Sequence, residues 1–208
     1  MRTQARNQRI LRMVQLSMLM ALVIVLQVVS AMIPPIGGMV SITLTLVPVV
    51  VGAILFGKKG GALLGFTFGA IVLINCISAL DPGGHILWQA NPFFTALICF
   101  VKGTMAGFIP AVLYELVKGK REQVSNGRKY ISALVAALSA PIVNTGLFVC
   151  GMFLFFKDTL YAWAGGSDVV TYVLLGLAGL NFLVEFLINI ILTPAIATIV
   201  NVVKKQSK

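Results

Sequence analysis

Charge is what this chain has least of. Only 11% of its 208 residues are Asp, Glu, Lys or Arg, and 59% are hydrophobic, whereas a soluble domain carries about 25% charged residues. The polar surface that a water-exposed globule needs is missing, which excludes a soluble enzyme, a disordered tail and a secreted disulfide scaffold. Histidine is scarcer still: His85 is the sole example, so no multi-histidine metal centre can form. The three cysteines, Cys76, Cys99 and Cys150, fall inside apolar runs with no CxxC spacing and are expected simply to pack. No GxSxG elbow and no cluster of carboxylates is present, so the chain is not expected to be an enzyme, nor to need a metal or a cofactor.

What the sequence has in abundance is apolar runs. A bilayer needs about 20 residues per helix, and runs near residues 10–33, 44–57, 61–77, 92–117, 130–156 and 171–203 qualify or nearly do. The expectation is an all-α integral membrane protein with six transmembrane helices in one bundle, a single domain over residues 1–208. Only Gly57 to Gly61 separates the second run from the third, which predicts a tight helical hairpin. Pro34, Pro35, Gly37 and Gly38 end the first run, and Asp81, Pro82, Gly83 and Gly84 read as an outer loop. Asn91 followed by Pro92 is a helix start, with a capping side chain and then a proline where no amide donor is needed. The first run is too long for a secretory signal and has no small-residue cleavage site before Pro34, so it is expected to stay as a helix.

The net charge of +10 is a topology signal. Arg2, Arg6, Arg9 and Arg12 precede the first run; Lys58 and Lys59 sit in the hairpin turn. Lys118, Lys120, Arg121, Arg128 and Lys129 fill one connection, and Lys204, Lys205 and Lys208 close the chain. Fourteen of the sixteen basic residues thus share one side. The positive-inside rule makes that side cytoplasmic, with both termini, in a cell membrane. Nucleic-acid binding is not needed to explain the charge.

One motif misleads. Residues 52–58 imitate a phosphate-binding loop, but Lys59 stands where the magnesium-binding Ser or Thr belongs, and the residues between the glycines are bulky and apolar. ATP binding is rejected. Gly61, Gly65 and Gly69, with Gly103 and Gly107, repeat every four residues and suit close helix approach in lipid. Ser17 and Ala21 make a similar stripe in the first helix.

Ionisable groups within the hydrocarbon cost about 2.5–3.5 kcal/mol each on insertion scales and usually face a partner or a cavity. Lys102 lies roughly 15 Å deep and Glu185 roughly 21 Å, counted along their helices. Asn181, Glu185 and Asn189 share a face of the last helix. Asn144 and Thr145 follow Pro141, where a kink is expected, and Asn75 sits near the outer end of its run. Two accounts stay open: a structural ion pair with interhelical hydrogen bonds, or a cavity opening outward. The stretch from Gly83 to Asn91, read as a loop carrying His85, Trp88 and Gln89, favours the cavity. Trp163 reads as an interfacial belt residue. Ser41 to Leu46 alternates and is expected to be extended, as part of a lid.

Leu46-Val47-Pro48, then Gly52, Phe56-Gly57, Gly61, Gly65 and Gly69, together with the run from Asn91-Pro92 through Lys102 to Gly107, resemble the substrate-binding S components of energy-coupling factor vitamin transporters. The resemblance implies capture of a water-soluble vitamin from outside, in company with a transmembrane coupling protein and two ATPase subunits. It implies that helices 1 to 3 contact the coupling protein, making Ser17, Ala21, Gly65 and Gly69 interface candidates. It places substrate at Asn75, His85, Trp88, Gln89, Asn91, Lys102, Asn144, Thr145, Asn181 and Glu185. The pantothenate type is the most similar, through residues 88–92 and Asn144-Thr145-Gly146. Pantothenate is an anion, and Lys102 can offset its carboxylate unless Glu185 neutralises the ammonium. Riboflavin or another cofactor precursor, a stand-alone ion-coupled secondary transporter and a structural membrane subunit are the alternatives.

Overall fold

The computed structural model describes residues 2–32, 44–119, 125–177 and 179–206. Its elements are α1 (Arg2–Met32), α2 (Leu46–Ile77), α3 (Pro82–Ala90), α4 (Pro92–Lys118), α5 (Asn126–Phe155), α6 (Lys157–Ala164), a turn α7 (Val169–Thr171), a π-helical segment (Tyr172–Leu177) and α8 (Gly179–Gln206). No strand occurs among the described residues. Among the described residues five helices, α1, α2, α4, α5 and α8, are long and apolar enough to cross a bilayer, so this is a multi-pass membrane protein. Met13, Met18, Met32, Leu183, Leu187 and Ile191 point outward, as lipid-facing side chains do.

The second and third apolar runs form the two helical arms of α2, which meet at Gly57 (φ 69°, ψ −163°). That backbone conformation is open to glycine and closed to residues with a Cβ. Across the break, a Cβ on Gly61 would lie 3.1 Å from the Cα of Ala53. Eight residues along a straight helix span about 12 Å, so the chain folds back on itself at Gly57. Arm 58–77 then runs along α4 with the two backbones nearly touching. A Cβ on Gly103 would lie 2.9 Å from the Cα of Gly69, and one on Gly65 would lie 3.1 Å from the nitrogen of Gly107. Lipid covers apolar side chains as well as protein does, so this close approach supplies the contact that hydrophobic burial supplies in water.

Two expectations are corrected. Residues 82–90 are helical rather than a loop, because Asp81-Pro82 caps a helix in the same way as Asn91-Pro92. α5 is continuous through Pro141, the site of the expected kink; a proline inside a membrane helix removes one backbone hydrogen bond, which neighbouring groups re-satisfy. Of the segment expected to be extended, Ser41, Ile42 and Thr43 lie outside the described residues, while Leu44 and Thr45 form a turn into α2. That turn is tied to α1 by Thr45 Oγ1 donating to Gln27 Oε1 at 2.8 Å and Leu44 N–H donating to Ser30 Oγ at 3.3 Å. Residues 172–177, at the start of the last apolar run, are π-helical.

Two hydrophobic clusters organise the interior. The larger joins α1, α2, α4, α5 and α8 through Val23, Leu64, Phe68, Ala106, Ala137 and Ile196. The smaller gathers Leu87 of α3, Ile98 of α4, Met152 and Phe156 at the end of α5, Leu160 of α6 and Val173.

Candidate functional site

Where the two clusters meet, α3 closes one end of the bundle, and its placement follows from local hydrogen bonds. Asp81 caps α3, its Oδ1 accepting from Gly84 N–H at 3.2 Å, and Asp81 N–H donates to Asn75 O at 3.2 Å. His85 Nδ1 lies 2.9 Å from Cys76 O, and its Nε2 lies 2.9 Å from Gln89 Nε2. A carbonyl can only accept, so Nδ1 carries the proton and Nε2 accepts from the Gln89 amide. His85 therefore pins α3 to the end of α2, and Gln89 braces the imidazole from an exposed position. Asn91 accepts from Phe94 N–H at 3.2 Å, the cap that starts α4. Trp88 packs against the larger cluster. Four of the residues expected to bind substrate thus have visible structural tasks in seating α3.

Beneath α3 is a hollow of about 40 Å³, lined by Asp81, Lys102, Thr95, Cys76, Cys99, Phe148 and Trp163, among others. Lys102 Nζ stands 5.1 Å from the centroid of the Phe148 ring, a cation–π contact. Lys102 and Ile98 also border a second, apolar hollow of about 180 Å³ between α4 and α5. The ammonium thus sits between two spaces, one polar and one greasy. Its acidic neighbour in the first space is Asp81. Burial pushes the Asp81 carboxyl above the usual carboxylate range, and the Gly84 N–H, Lys102 and the Gly83 N–H pull it partly back.

Sequence reasoning missed Asp81, Thr95, Phe148 and Trp163. The Asp81 signal was available: Asp-Pro is the same cap signature that was recognised at Asn91-Pro92, masked by the two glycines that follow. Trp163 had none, because α6 is brought over the hollow only by packing of the smaller cluster.

The remaining candidates lie elsewhere. Asn75 is buried. On α8, Glu185 and Asn189 are buried; Asn189 Nδ2 donates to Glu185 O at 2.8 Å, and Thr193 Oγ1 donates to Asn189 O at 2.7 Å. Glu185 lines neither hollow beside Lys102. Asn144 of α5 is buried and Thr145 half-buried; the oxygens Oδ1 of Asn144 and Asn189 have no hydrogen-bond partner among the described residues. Asn181 lies on α8, and its side chain is outside the described residues. Ser17 and Ala21 are exposed on α1. Gly65 and Gly69, expected at a partner interface, are instead buried against the backbone of α4 at Gly103 and Cys99; this chain itself occupies the surface they offer.

The opposite end of α4 carries a larger, open groove of about 620 Å³, lined by Gly57, Lys58, Tyr114, Glu115 and Lys118, among others. Lys58 Nζ lies 3.3 Å from Glu115 Oε2, both about half exposed. The rejected phosphate-loop segment ends here, at the Gly57 fold-back. For recognising a small molecule, the α3 end is the better site despite its size: it has an ammonium, a carboxyl, a hydroxyl and an indole converging in an apolar wall, the composition of ligand pockets.

Comparison with known proteins shows the family. The family described as "ECF transporter, substrate-specific component" matches residues 11–197. Among curated proteins, the pantothenic acid transporter PanT of Lactococcus lactis subsp. cremoris is 30% identical over 154 residues, 74% of each chain.

Proposed function

Because this chain belongs to the substrate-specific components of ECF transporters, we propose that it is the membrane subunit that captures pantothenate for uptake. It does no chemistry of its own. Energy comes from a transmembrane coupling protein and two ATP-hydrolysing subunits with which it assembles. The orientation places the Lys58, Lys118 and Arg128 end and both termini in the cytoplasm, by the positive-inside rule, and α3 at the outer surface. The chain crosses six times, with the two arms of α2 making separate crossings on either side of Gly57.

The observation that carries the reading is Lys102 at the α3 end, a half-buried ammonium bordering both hollows, in a relative of a pantothenic acid transporter. A pantothenate carboxylate pairs with Lys102, the Trp163 indole and Thr95 offer polar contacts, and the branched dimethyl carbon fits the apolar hollow beside Ile98. The hollows are small against the ~300 Å³ usual for ligand pockets, so entry requires displacement of α6 or α5. Glu185, which would cancel the ammonium if it faced it, lines neither hollow.

Thermal unfolding of the purified full-length protein tests this. Pantothenate at a hundred times its dissociation constant should stabilise it by about 2.7 kcal/mol, and riboflavin should leave it unchanged. Lys102→Met should lose the pantothenate shift and keep the fold, because removing a half-buried ammonium relieves desolvation. A shift with riboflavin and none with pantothenate would overturn the substrate. Uptake that persists unaltered in cells lacking the ATPase module would overturn the partnership in favour of a stand-alone transporter.

A further inference from the structure

The hollow beneath α3 holds charges of both signs, and an anion entering it meets the acid as well as the base. Asp81 sits at the mouth on the cap of α3, bonded to Gly84 N–H. From α4 it faces Lys102 and the Cys99 thiol, from α2 the Cys76 thiol, and from its own helix the Gly83 and Gly84 amides. α6 contributes the uncharged Trp163 to the same space. His85, one residue beyond Gly84, has both ring nitrogens committed, to Cys76 O and Gln89. Lys102 is therefore the one cation among the groups facing Asp81. Two carboxylates sharing one ammonium in a space sheltered from water repel each other, and one of them protonates.

We propose that Asp81 balances the charge of Lys102 across the hollow, without a direct ion pair, and that an anionic substrate pairs with the ammonium only as Asp81 accepts a proton, so that capture takes up H⁺. This rests on the reading above that a carboxylate substrate pairs with Lys102. The balance is simple: the substrate carboxylate stays ionised and pairs with the ammonium, while the Asp81 carboxylate and one solvent proton become a neutral carboxyl. The direction follows from geometry as well as burial. A neutral Asp81 still accepts from Gly84 N–H through its carbonyl oxygen, so α3 keeps its cap while the site changes charge. The bound state holds the additional proton, so lowering the pH favours binding. Affinity falls as pH rises, by up to about tenfold per unit once the pH exceeds the Asp81 pKa of the free protein, for as long as Asp81 stays protonated in the complex.

The test is titration calorimetry of the full-length protein with pantothenate between pH 5.5 and 8.5, in buffers of different ionisation enthalpy. A parallel arm uses the alcohol in which hydroxymethyl replaces the carboxylate. The expected result is a buffer-dependent heat showing proton uptake with pantothenate and none with the alcohol. Asp81→Asn keeps a good capping side chain and removes the charge; it should bind pantothenate more tightly at pH 8, with a flat pH profile. Pantothenate binding with no proton uptake in the wild type overturns this inference and leaves the substrate reading standing. So does an Asp81→Asn protein whose pH slope is unaltered. Absence of pantothenate binding at every pH overturns the substrate reading and this inference with it.

Discussion

The seam between α2 and α4 and the seam between α5 and α8 solve the problem of association in lipid in opposite ways. Along the first, glycines bring backbone against backbone: Gly61 meets Gly107, Gly65 meets Gly103 and Gly69 meets Cys99. The two helices of the second carry buried polar side chains. Asn144, Ser139, Glu185, Asn189 and Thr193 are all buried. Several of them bond within their own helices, Ser139 to Ala136 O and Thr193 to Asn189 O. Such bonds hold a helix to itself and not to its neighbour. The amide oxygens of Asn144 and Asn189 lack partners among the described residues, so part of the potential glue of this seam is unused. Along the α2–α4 seam, backbone contact fixes the position of Lys102 and the foot of α3.

The largest expected effect is at the glycine seam. Gly103→Leu places a Cβ 2.9 Å from the Cα of Gly69, against backbone that cannot rotate away. Overpacking of this kind costs about 3 kcal/mol or more, a large share of the stability of a domain. We expect loss of monodisperse protein after detergent extraction. Stable Gly103→Leu protein would show that the two helices can separate, and the contrast between the seams would fail.

A middling effect of opposite sign belongs to the other seam. Asn189→Leu removes an orphaned acceptor from an apolar setting and forfeits one bond to Glu185 O. Interhelical and local polar bonds in membranes average about 0.6 kcal/mol, while an unsatisfied buried group costs about 1–3 kcal/mol. The melting temperature should therefore hold or rise. A drop comparable to that of Gly103→Leu would mean that the polar seam is structural glue after all. Gly146→Ala, with nothing within 4 Å of the new Cβ, should stabilise α5 by about 0.5–1 kcal/mol through helix propensity alone.

The same contrast explains what could be read from the sequence. Glycine spacing at 61, 65 and 69 and at 103 and 107 is a local pattern with a direct geometric meaning, and the fold-back between 57 and 61 follows from it and from the adjacent lysines. The polar site is not local. Lys102 was legible as an expensive charge, but its acidic neighbour was sought at Glu185 by depth along a helix, and depth does not say which face points where. Asp81 went unnoticed because Asp-Pro-Gly-Gly reads as a loop by composition, and the cap chemistry at its first two residues was outweighed by the glycines. His85, Gln89 and Asn91 drew attention as polar groups beside an apolar run; their hydrogen bonds show them seating α3. Trp88, expected at the cavity, packs on the core, and Trp163, expected as a belt residue, lines the hollow, because tertiary packing alone decides which indole faces it.

The smallest effect probes the end of the α2–α4 seam remote from the site. Lys58 and Glu115 form an ion pair at 3.3 Å where α2 folds back beside the end of α4, and it looks like the clasp of the glycine seam. Both side chains are about half exposed, so water and salt screen the attraction, and pairs of this kind contribute about 0–1 kcal/mol. If backbone contact is what holds α2 to α4, Lys58→Met should lower the melting temperature by a degree or two at low salt and by nothing measurable at 0.5 M. Gly57→Ala at the neighbouring residue should cost more than the ion pair, at any ionic strength, because φ of 69° with ψ of −163° strains any residue bearing a Cβ. A Lys58→Met protein less stable than Gly57→Ala would make charge rather than backbone geometry the force that closes the hairpin.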